Sequence, residues 1–271
     1  MVAVLTKYFY DQIANSLDEC EKEFIYNSLE IANSGENSDS SYRFWFDDFR
    51  NNFKNREGDV YEFGVYRGSS LIAIALLAKR LGSNKHFYGF DTFSGFPSYS
   101  EEDKLENFSE EKGFSKEHIK DVKLLSNIKL LQEDQKFGNL DLSLNKLGKS
   151  GLFQNTSFDL LLEKIERFSL ENVSLIKGEF KDTIPNHFSI SKRKVFSANI
   201  DCDLYEGYKI CLPFVFNNLV DGGFIHLDEY YSLKYPGAKI ATDEFLCRNK
   251  NAILKKNSTR QGEFDRYSIT N

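Results

Sequence analysis

From residue 59 onward the chain alternates between short apolar segments of strand length and longer segments of helical periodicity. The predicted strands cover 60–63, 86–90, 173–177, 195–200 and 224–227. The predicted helices cover 69–81, 157–168, 205–219 and 238–247. Alternation of this kind favours a parallel sheet whose strands are joined by right-handed helical crossovers. The sequence therefore predicts an α/β fold, a Rossmann-like and mostly parallel sheet with helices on both faces.

Both ends of the chain add predicted elements to this α/β sheet. Residues 11–31 and 44–53 carry apolar side chains at helical spacing, which predicts N-terminal helices. Residues 252–256 and 264–269 are typical of a terminal antiparallel strand pair. We therefore divide the chain into an N-terminal helical extension (1–57) and an α/β domain (58–271).

A polar insertion at about 94–150, rich in Glu, Lys, Ser and Asn, interrupts the alternation directly after a strand. A long polar segment in this place is often a lid or substrate loop. The alternative, which we weigh equally, is a solvent-exposed surface segment with helical turns.

The composition excludes several classes of function. The chain has 271 residues and a formal net charge of -6, whereas phosphate binding to nucleic acid requires a concentrated basic face. No apolar run approaches the roughly 20 residues that span a bilayer, and the apolar stretch at residues 1–5 is too short for a signal peptide. The four cysteines show no CxxC spacing, as expected of a reduced chain. We expect a soluble, cytoplasmic protein with a small-molecule substrate and without nucleic-acid or membrane partners.

Carboxylates follow two of the predicted strands. Asp201 and Asp203 come directly after the strand at 195–200, and Asp228 and Glu229 follow the strand at 224–227. In open α/β sheets, ligands bind beyond the carboxyl ends of the strands, so these side chains are expected to face one crevice. Mg²⁺ accepts one or two protein carboxylates and keeps its other positions for water or substrate oxygens. The pattern predicts a divalent cation site suited to chemistry on a hydroxyl.

A second candidate site follows the first strand. Gly64 and Gly68 permit a tight turn into a helix, whose first N–H groups are free to meet a ligand. Tyr66 stands where a dinucleotide-binding loop would have its middle glycine, which weakens an NAD interpretation. Asp91 ends the second strand, where an acidic residue accepts hydrogen bonds from a ribose.

Five segments in order resemble motifs of the macrocin O-methyltransferase family, and the resemblance extends from about residue 59 to about residue 245. The matching segments are 60–70, 90–97, 177–185, 201–206 and 228–230. The resemblance implies a class I methyltransferase fold, S-adenosylmethionine as methyl donor, Mg²⁺, and a sugar or phenolic hydroxyl as acceptor. Asp228-Glu229 departs from the family, which more often has two aspartates there.

The resemblance also implies roles for individual residues. Asp201, Asp228 and Glu229 are expected to bind the metal, and Asp203 to act as general base on the acceptor hydroxyl. Adjacent residues of a strand point to opposite faces, so the chain must turn for Asp228 and Glu229 to reach one ion; otherwise only one binds directly. The predicted cofactor contacts are Glu62 (to the methionine ammonium), Phe63, Gly64, Tyr66, Gly68, Ser69, Asp91 (to the ribose), Thr92, and Gly178 with Phe180 (beside the adenine).

We therefore predict an S-adenosylmethionine-dependent, Mg²⁺-dependent O-methyltransferase acting on a hydroxyl of a sugar or of a glycosylated or nucleotide-linked small molecule. Two alternatives stay open: an NAD- or sugar-nucleotide-binding Rossmann-type enzyme, and a non-catalytic module on the same fold. Family precedent and the aromatic residues Phe44, Trp45 and Phe46 favour a homodimer. The alternative is that these aromatic side chains pack the N-terminal helices onto the sheet.

Overall fold

The computed structural model describes residues 42–97, 99–125, 153–154, 156–189, 193–257 and 265–271. The strands are β1 (Asp59–Phe63), β2 (Phe87–Asp91), β3 (Val173–Lys177), β4 (Val195–Ile200), β5 (Leu219–Leu227), β6 (Ile253–Asn257) and β7 (Arg266–Thr270). The helices are α1 (Arg43–Asn52), α2 (Ser69–Arg80), α3 (116–125), α4 (Phe158–Arg167), α5 (Phe180–Ser189), α6 (Tyr205–Asn217) and α7 (Pro236–Arg248). The predicted helix over 11–31 and the second half of the insertion lie outside the described residues.

The strands form one seven-stranded sheet in the order β3-β2-β1-β4-β5-β7-β6. The first five in this order run parallel, and β7 is antiparallel to both β5 and β6. The predicted fold class and its C-terminal antiparallel pair are confirmed. Because β2 and β4 flank β1 on opposite sides, the chain leaves the centre of the sheet in two directions, and a crevice opens between β1 and β4.

The prediction of elements was incomplete for three of them. It missed α5 and α3, and it began β5 at residue 224 although the strand starts at Leu219. Pro185 lies inside α5 and Gly222-Gly223 lie inside β5, and both residue types normally interrupt such elements. Ile184 is fully buried, so tertiary packing holds α5 in spite of its proline.

The N-terminal helix α1 packs on the sheet through its aromatic face. Trp45, Phe46 and Phe49 are at most 1% exposed, and Trp45 Nε1 donates a hydrogen bond of 3.1 Å to Ser197 Oγ on β4. This is the packing on the sheet that the alternative interpretation of the aromatic side chains predicts; the homodimer stays a prediction. Among the described residues, no helix is long and apolar enough to span a membrane.

Candidate active site

A cavity of about 930 Å³ opens at the carboxyl ends of β1, β2, β4 and β5, where the sequence placed both candidate sites. Most of the predicted site residues line it: Gly64, Tyr66, Ser69, Asp91, Thr92, Phe180, Asp201, Asp203, Asp228 and Glu229. Four predicted residues, Glu62, Phe63, Gly68 and Gly178, do not line it. The tertiary structure therefore brings the carboxylates and the loop after β1 (residues 64–68, the glycine loop) into one cavity large enough for a cofactor and a substrate.

Three carboxylates meet at one point of this cavity. Each of Asp201, Asp228 and Glu229 presents an oxygen, and these oxygens lie within 4.8 Å of one another. The chain turns immediately after β5, which brings both Asp228 and Glu229 to the cluster. Asp203 has a positive φ of 59° and interacts with the charges of Asp228 and Glu229, so it lies beside the cluster on its own turn.

Burial and mutual repulsion dominate the electrostatics of this cluster. Both effects raise the pKa of Asp201 and of Glu229 well above the ordinary range, since Asp228 carries a negative charge beside each of them. Burial and the charge of Asp228 raise the pKa of Asp203 to about 8, although Lys234 opposes them.

Asp228 is the exception in the cluster. Burial alone would raise its pKa, but polar contacts with His226 and Glu229 and the charge of Arg266, with Nη1 3.5 Å from Oδ1, hold the pKa below its usual value. His226 Nε2 lies 3.8 Å from Oδ1, too far for a hydrogen bond. Asp228 is therefore the ionised member of the cluster, and its negative charge raises the pKa values of Asp201, Asp203 and Glu229.

The cluster contains polar atoms that need a partner. Asp228 Oδ1 and both ring nitrogens of His226 are buried, and within the described ranges they have no hydrogen-bond partner. Buried polar atoms are normally paired, and crowded carboxylates need a neutralising charge. An all-oxygen donor set with unpaired acceptor capacity is what a hard divalent cation such as Mg²⁺ takes. The residues present therefore fit the metal that the sequence predicts.

At Gly64 the glycine loop lies directly against the backbone of Asp201. Gly64 has a φ of 90°, and a methyl group in place of its hydrogen would overlap the carbonyl oxygen of Asp201. Only glycine combines this backbone conformation with such a close approach. Gly64 thus sets the spacing between the two halves of the cavity.

Asp91 has a structural role besides the predicted contact with a ribose. Its Oδ2 accepts hydrogen bonds from the N–H groups of Val65 (2.8 Å) and Tyr66 (2.9 Å), and its Oδ1 accepts one from Phe93 N–H (2.7 Å). The carboxylate therefore ties the loop after β1 to the loop after β2. A carboxylate has about four acceptor positions, so capacity for a ligand remains.

Glu62 lies beneath the cavity, fully buried in β1. Its Oε1 accepts hydrogen bonds from the hydroxyl of Ser70 and from Asn199 Nδ2 (2.9 Å), and burial raises its pKa to about 8. Its Oε2 has no hydrogen-bond partner among the residues described. Ser70 lines the cavity directly above it, so contact between Glu62 and a cofactor ammonium remains a prediction.

An aromatic wall, of which the sequence analysis predicted only Tyr66, lines another side of the cavity. Phe96 packs edge-on against Phe153 (ring centroids 4.8 Å apart) and Tyr235 (5.8 Å), and Phe153 in turn contacts Tyr66 (5.1 Å). These four rings come from four separate segments of the chain. Tyr66 was predicted as a cofactor contact, whereas Phe96, Phe153 and Tyr235 are identified as site residues only by their position in the cavity.

The first half of the insertion is fixed to the site. Asp103 is 6% exposed, and its Oδ1 accepts a hydrogen bond of 2.8 Å from Tyr205 N–H at the start of α6. His118 donates from Nε2 to the Ser232 carbonyl (2.6 Å) and stacks on Tyr231, with ring centroids 4.0 Å apart. Residues 99–125 therefore form a wall against the loop that follows Glu229. A lid role for the insertion remains a prediction.

The comparisons with known proteins agree with this geometry. The profile of the family described as Macrocin-O-methyltransferase (TylF) matches residues 50–171 and 154–257, which together are most of the chain. No curated protein matches the chain.

Solved methyltransferase structures share the fold. The calicheamicin methyltransferase CalS11 is 19% identical, with 93% of each chain covered and a TM-score of 0.58. An apo structure of CalS11, described as a TDP-rhamnose 3'-O-methyltransferase, is 18% identical and covers 93% of this chain and 95% of its own, with a TM-score of 0.50. The O-methyltransferase NovP is 18% identical and covers 83% of this chain and 76% of its own, with a TM-score of 0.56.

Proposed function

Because the chain belongs to the macrocin O-methyltransferase family, and is therefore an enzyme of methyl transfer to oxygen, we propose that it uses S-adenosylmethionine and Mg²⁺ and that its acceptor is a sugar hydroxyl. The acceptor sugar is free, glycosidically linked or carried on a nucleotide. The observation that carries the proposal is the convergence of Asp201, Asp228 and Glu229 in the same cavity as the glycine loop.

S-adenosylmethionine supplies a sulfonium methyl group that needs no activation by the protein. The task of the chain is therefore to bind the donor and align it. The loop after β1 and the start of α2 present Gly64, Tyr66 and Ser69 to the cavity, and Asp91 holds the backbone of that loop in place. Thr92 and Phe180 line the same side, where the ribose and the adenine would lie.

Asp201, Asp228 and Glu229 would hold the metal. A divalent cation there supplies charge that lowers the pKa of an acceptor hydroxyl and orients it. It would also lower the pKa values of the cluster, because its charge offsets the repulsion among the carboxylates.

Asp203 is the general base in this proposal. It lies beside the metal ligands rather than among them, and burial beside Asp228 raises its pKa to about 8. A base is most effective when its pKa is near the operating pH. One oxygen of the Asp203 carboxylate would take the hydroxyl proton as the methyl group is transferred. Phe96 and Tyr235 border this part of the cavity and would exclude water from the reacting atoms.

The first test is calorimetric titration with S-adenosylhomocysteine, with NAD⁺ as the control ligand. Saturable binding of S-adenosylhomocysteine alone supports the cofactor assignment. Binding of NAD⁺ instead would contradict it and favour the dinucleotide alternative.

The second test concerns the metal and the acceptor. TDP-rhamnose is the first acceptor to assay, since the CalS11 structure is described as a methyltransferase for that compound. Methyl transfer should require Mg²⁺ and stop when EDTA is added. Transfer to a sugar hydroxyl at an undiminished rate in EDTA would contradict the metal assignment but not the acceptor.

A further inference from the structure

Tyr42, the residue that precedes helix α1, contacts the carboxylate cluster. Its hydroxyl donates a hydrogen bond to Oδ2 of Asp201, across 159 positions of sequence. Its side chain lines the cavity. We propose that Tyr42 is a positioning residue for the metal site: its hydroxyl orients the Asp201 carboxylate, and the N-terminal helix α1 is thereby part of the active site.

The position of Tyr42 is set by the helix that it begins. Its carbonyl accepts hydrogen bonds from the N–H groups of Trp45 (3.0 Å) and Phe46 (3.1 Å), so Tyr42 caps the first turn of α1. Trp45 and Phe46 are buried against the sheet, and Trp45 is also bonded to Ser197. A hydroxyl carried on such a docked helix has a defined place relative to β4.

The ring of Tyr42 is held as well. Its centroid lies 5.7 Å from that of His226 and 6.5 Å from that of Trp45, both in tilted contacts. His226 belongs to β5, one residue before Leu227 and two before Asp228. Tyr42 therefore spans the gap between the ends of β4 and β5, the two strands that supply the carboxylates.

The hydrogen bond matters because Asp201 has two oxygens and one of them must be free for a cation. A donor on Oδ2 restricts rotation of the carboxylate and leaves Oδ1 for the metal. Tyr208 fixes the backbone of Glu229: its hydroxyl oxygen accepts a hydrogen bond of 3.1 Å from Glu229 N–H, and its proton is donated to the Ile200 carbonyl (2.8 Å). Tyr42, in contrast, acts on the Asp201 carboxylate itself.

The inference rests on the proposed function, because it requires that the cluster binds a cation. The test is calorimetric titration of the full chain with Mg²⁺ in the presence of S-adenosylhomocysteine, comparing the parent with Tyr42→Phe. This substitution removes only the hydroxyl and keeps the ring contacts. We expect Mg²⁺ affinity to fall roughly 10- to 100-fold, the usual effect of losing a partner of a metal ligand. Turnover should return to the parent value at saturating Mg²⁺, while S-adenosylhomocysteine affinity stays unchanged.

Two control variants separate the hydroxyl from other effects. Tyr205→Phe removes another tyrosine-to-carboxylate hydrogen bond, 3.0 Å long to Glu244, away from the cavity, and should leave Mg²⁺ affinity unchanged. Trp45→Phe removes the hydrogen bond that docks α1 but keeps the Tyr42 hydroxyl, and should weaken Mg²⁺ binding less than Tyr42→Phe.

Three results would overturn the proposal. Equal Mg²⁺ affinity in the parent and Tyr42→Phe would remove any positioning role, and tighter binding by the variant would mean that Tyr42 competes with the metal. An equal loss in Trp45→Phe would assign the effect to helix docking.

The proposed function fails in distinguishable ways. No Mg²⁺ binding by the parent would overturn both the metal assignment and the role of Tyr42. Mg²⁺ binding that depends on Tyr42 but is accompanied by no methyl transfer to a sugar would support the role of Tyr42 and contradict the acceptor.

Discussion

The glycine-loop side and the carboxylate side of the cavity differ in how their polar groups are paired. On the glycine-loop side, the two oxygens of Asp91 accept three backbone hydrogen bonds of 2.7–2.9 Å. On the carboxylate side, Asp201, Asp228 and Glu229 crowd together, and Asp228 Oδ1 has no hydrogen-bond partner within the described part of the chain.

One half of the site is therefore ordered before a ligand binds, and the other half is not. The glycine loop is organised by the protein's own hydrogen bonds, so it needs no ligand to hold its shape. On the carboxylate side, Arg266 lies near Asp228, but the carboxylates still repel one another, and a bound cation would offset that repulsion. Cofactor binding and metal binding should therefore respond to different substitutions.

The largest effect is expected from Asp203→Asn. Loss of a general base typically lowers turnover by about 10²- to 10⁴-fold, because no side chain then accepts the proton of the substrate hydroxyl. S-adenosylhomocysteine affinity should not change, since Asp203 lies on the carboxylate side. Turnover and calorimetry on the purified variant measure both, with Asp221→Asn, a change at an exposed position, as the control. Normal turnover would remove Asp203 as the base.

The next largest effect separates the two adjacent carboxylates. Asp228 is ionised because its pKa is held low, whereas the pKa of Glu229 is raised and its Oε2 is near the Tyr208 hydroxyl. Asp228→Asn should therefore weaken Mg²⁺ binding by more than about tenfold, and Glu229→Gln should weaken it less. Calorimetric Mg²⁺ titrations of both variants give the order. The reverse order would make Glu229 the principal ligand.

A smaller effect is expected on the glycine-loop side. Asp91→Asn replaces one acceptor oxygen by an N–H₂ group, which cannot accept the backbone hydrogen bonds that now reach it. Hydrogen bonds to charged groups contribute about 1.5–3 kcal/mol, so S-adenosylhomocysteine affinity should fall by about tenfold or more. Mg²⁺ affinity should stay at the parent value. Asp182→Asn, on the exposed side of α5, is the matched control. A loss of Mg²⁺ affinity in Asp91→Asn would show that the two halves are coupled.

The smallest effect is on stability. The folded-state pKa of Asp203 is about 8 against an ordinary 3.8, so its contribution to stability is present at low pH and is lost as pH rises through about 8. Mg²⁺ should oppose this loss, because it binds the ionised cluster and not the unfolded chain. The rise in Tm that Mg²⁺ produces should therefore grow by a few degrees between about pH 5 and about pH 8. Thermal unfolding with Mg²⁺ or EDTA measures it, and a rise that shrinks with pH would contradict the expected sign.

Much of this architecture was predictable from the sequence because its signals are local. The strands at 173–177 and 195–200 were predicted with their observed limits, since each is a short apolar run with polar flanks. Asp201, Asp203, Asp228 and Glu229 were predicted as one group because the carboxyl ends of parallel strands share one edge of a sheet. Gly64 was predicted from the strand-to-helix turn, and its positive φ agrees with that interpretation.

Other features depended on contacts between distant segments, which no local pattern records. The sequence could not place Glu62 beneath the cavity, because that depends on Ser70 and Asn199 closing over it. Nor could it predict that Asp91 would bind backbone N–H groups of the neighbouring loop.

From the sequence alone it follows that the sheet is mostly parallel and that carboxylates stand at the ends of two of its strands, because periodicity and strand ends are properties of neighbouring residues. The order of the strands and the side chains that complete the site are known only from the tertiary structure. Tyr42 reaches Asp201, and Phe96 reaches Phe153 and Tyr235, because helices and loops far apart in the chain pack over one edge of the sheet. Such contacts depend on how buried surfaces fit together, and this is fixed only when the whole chain has folded.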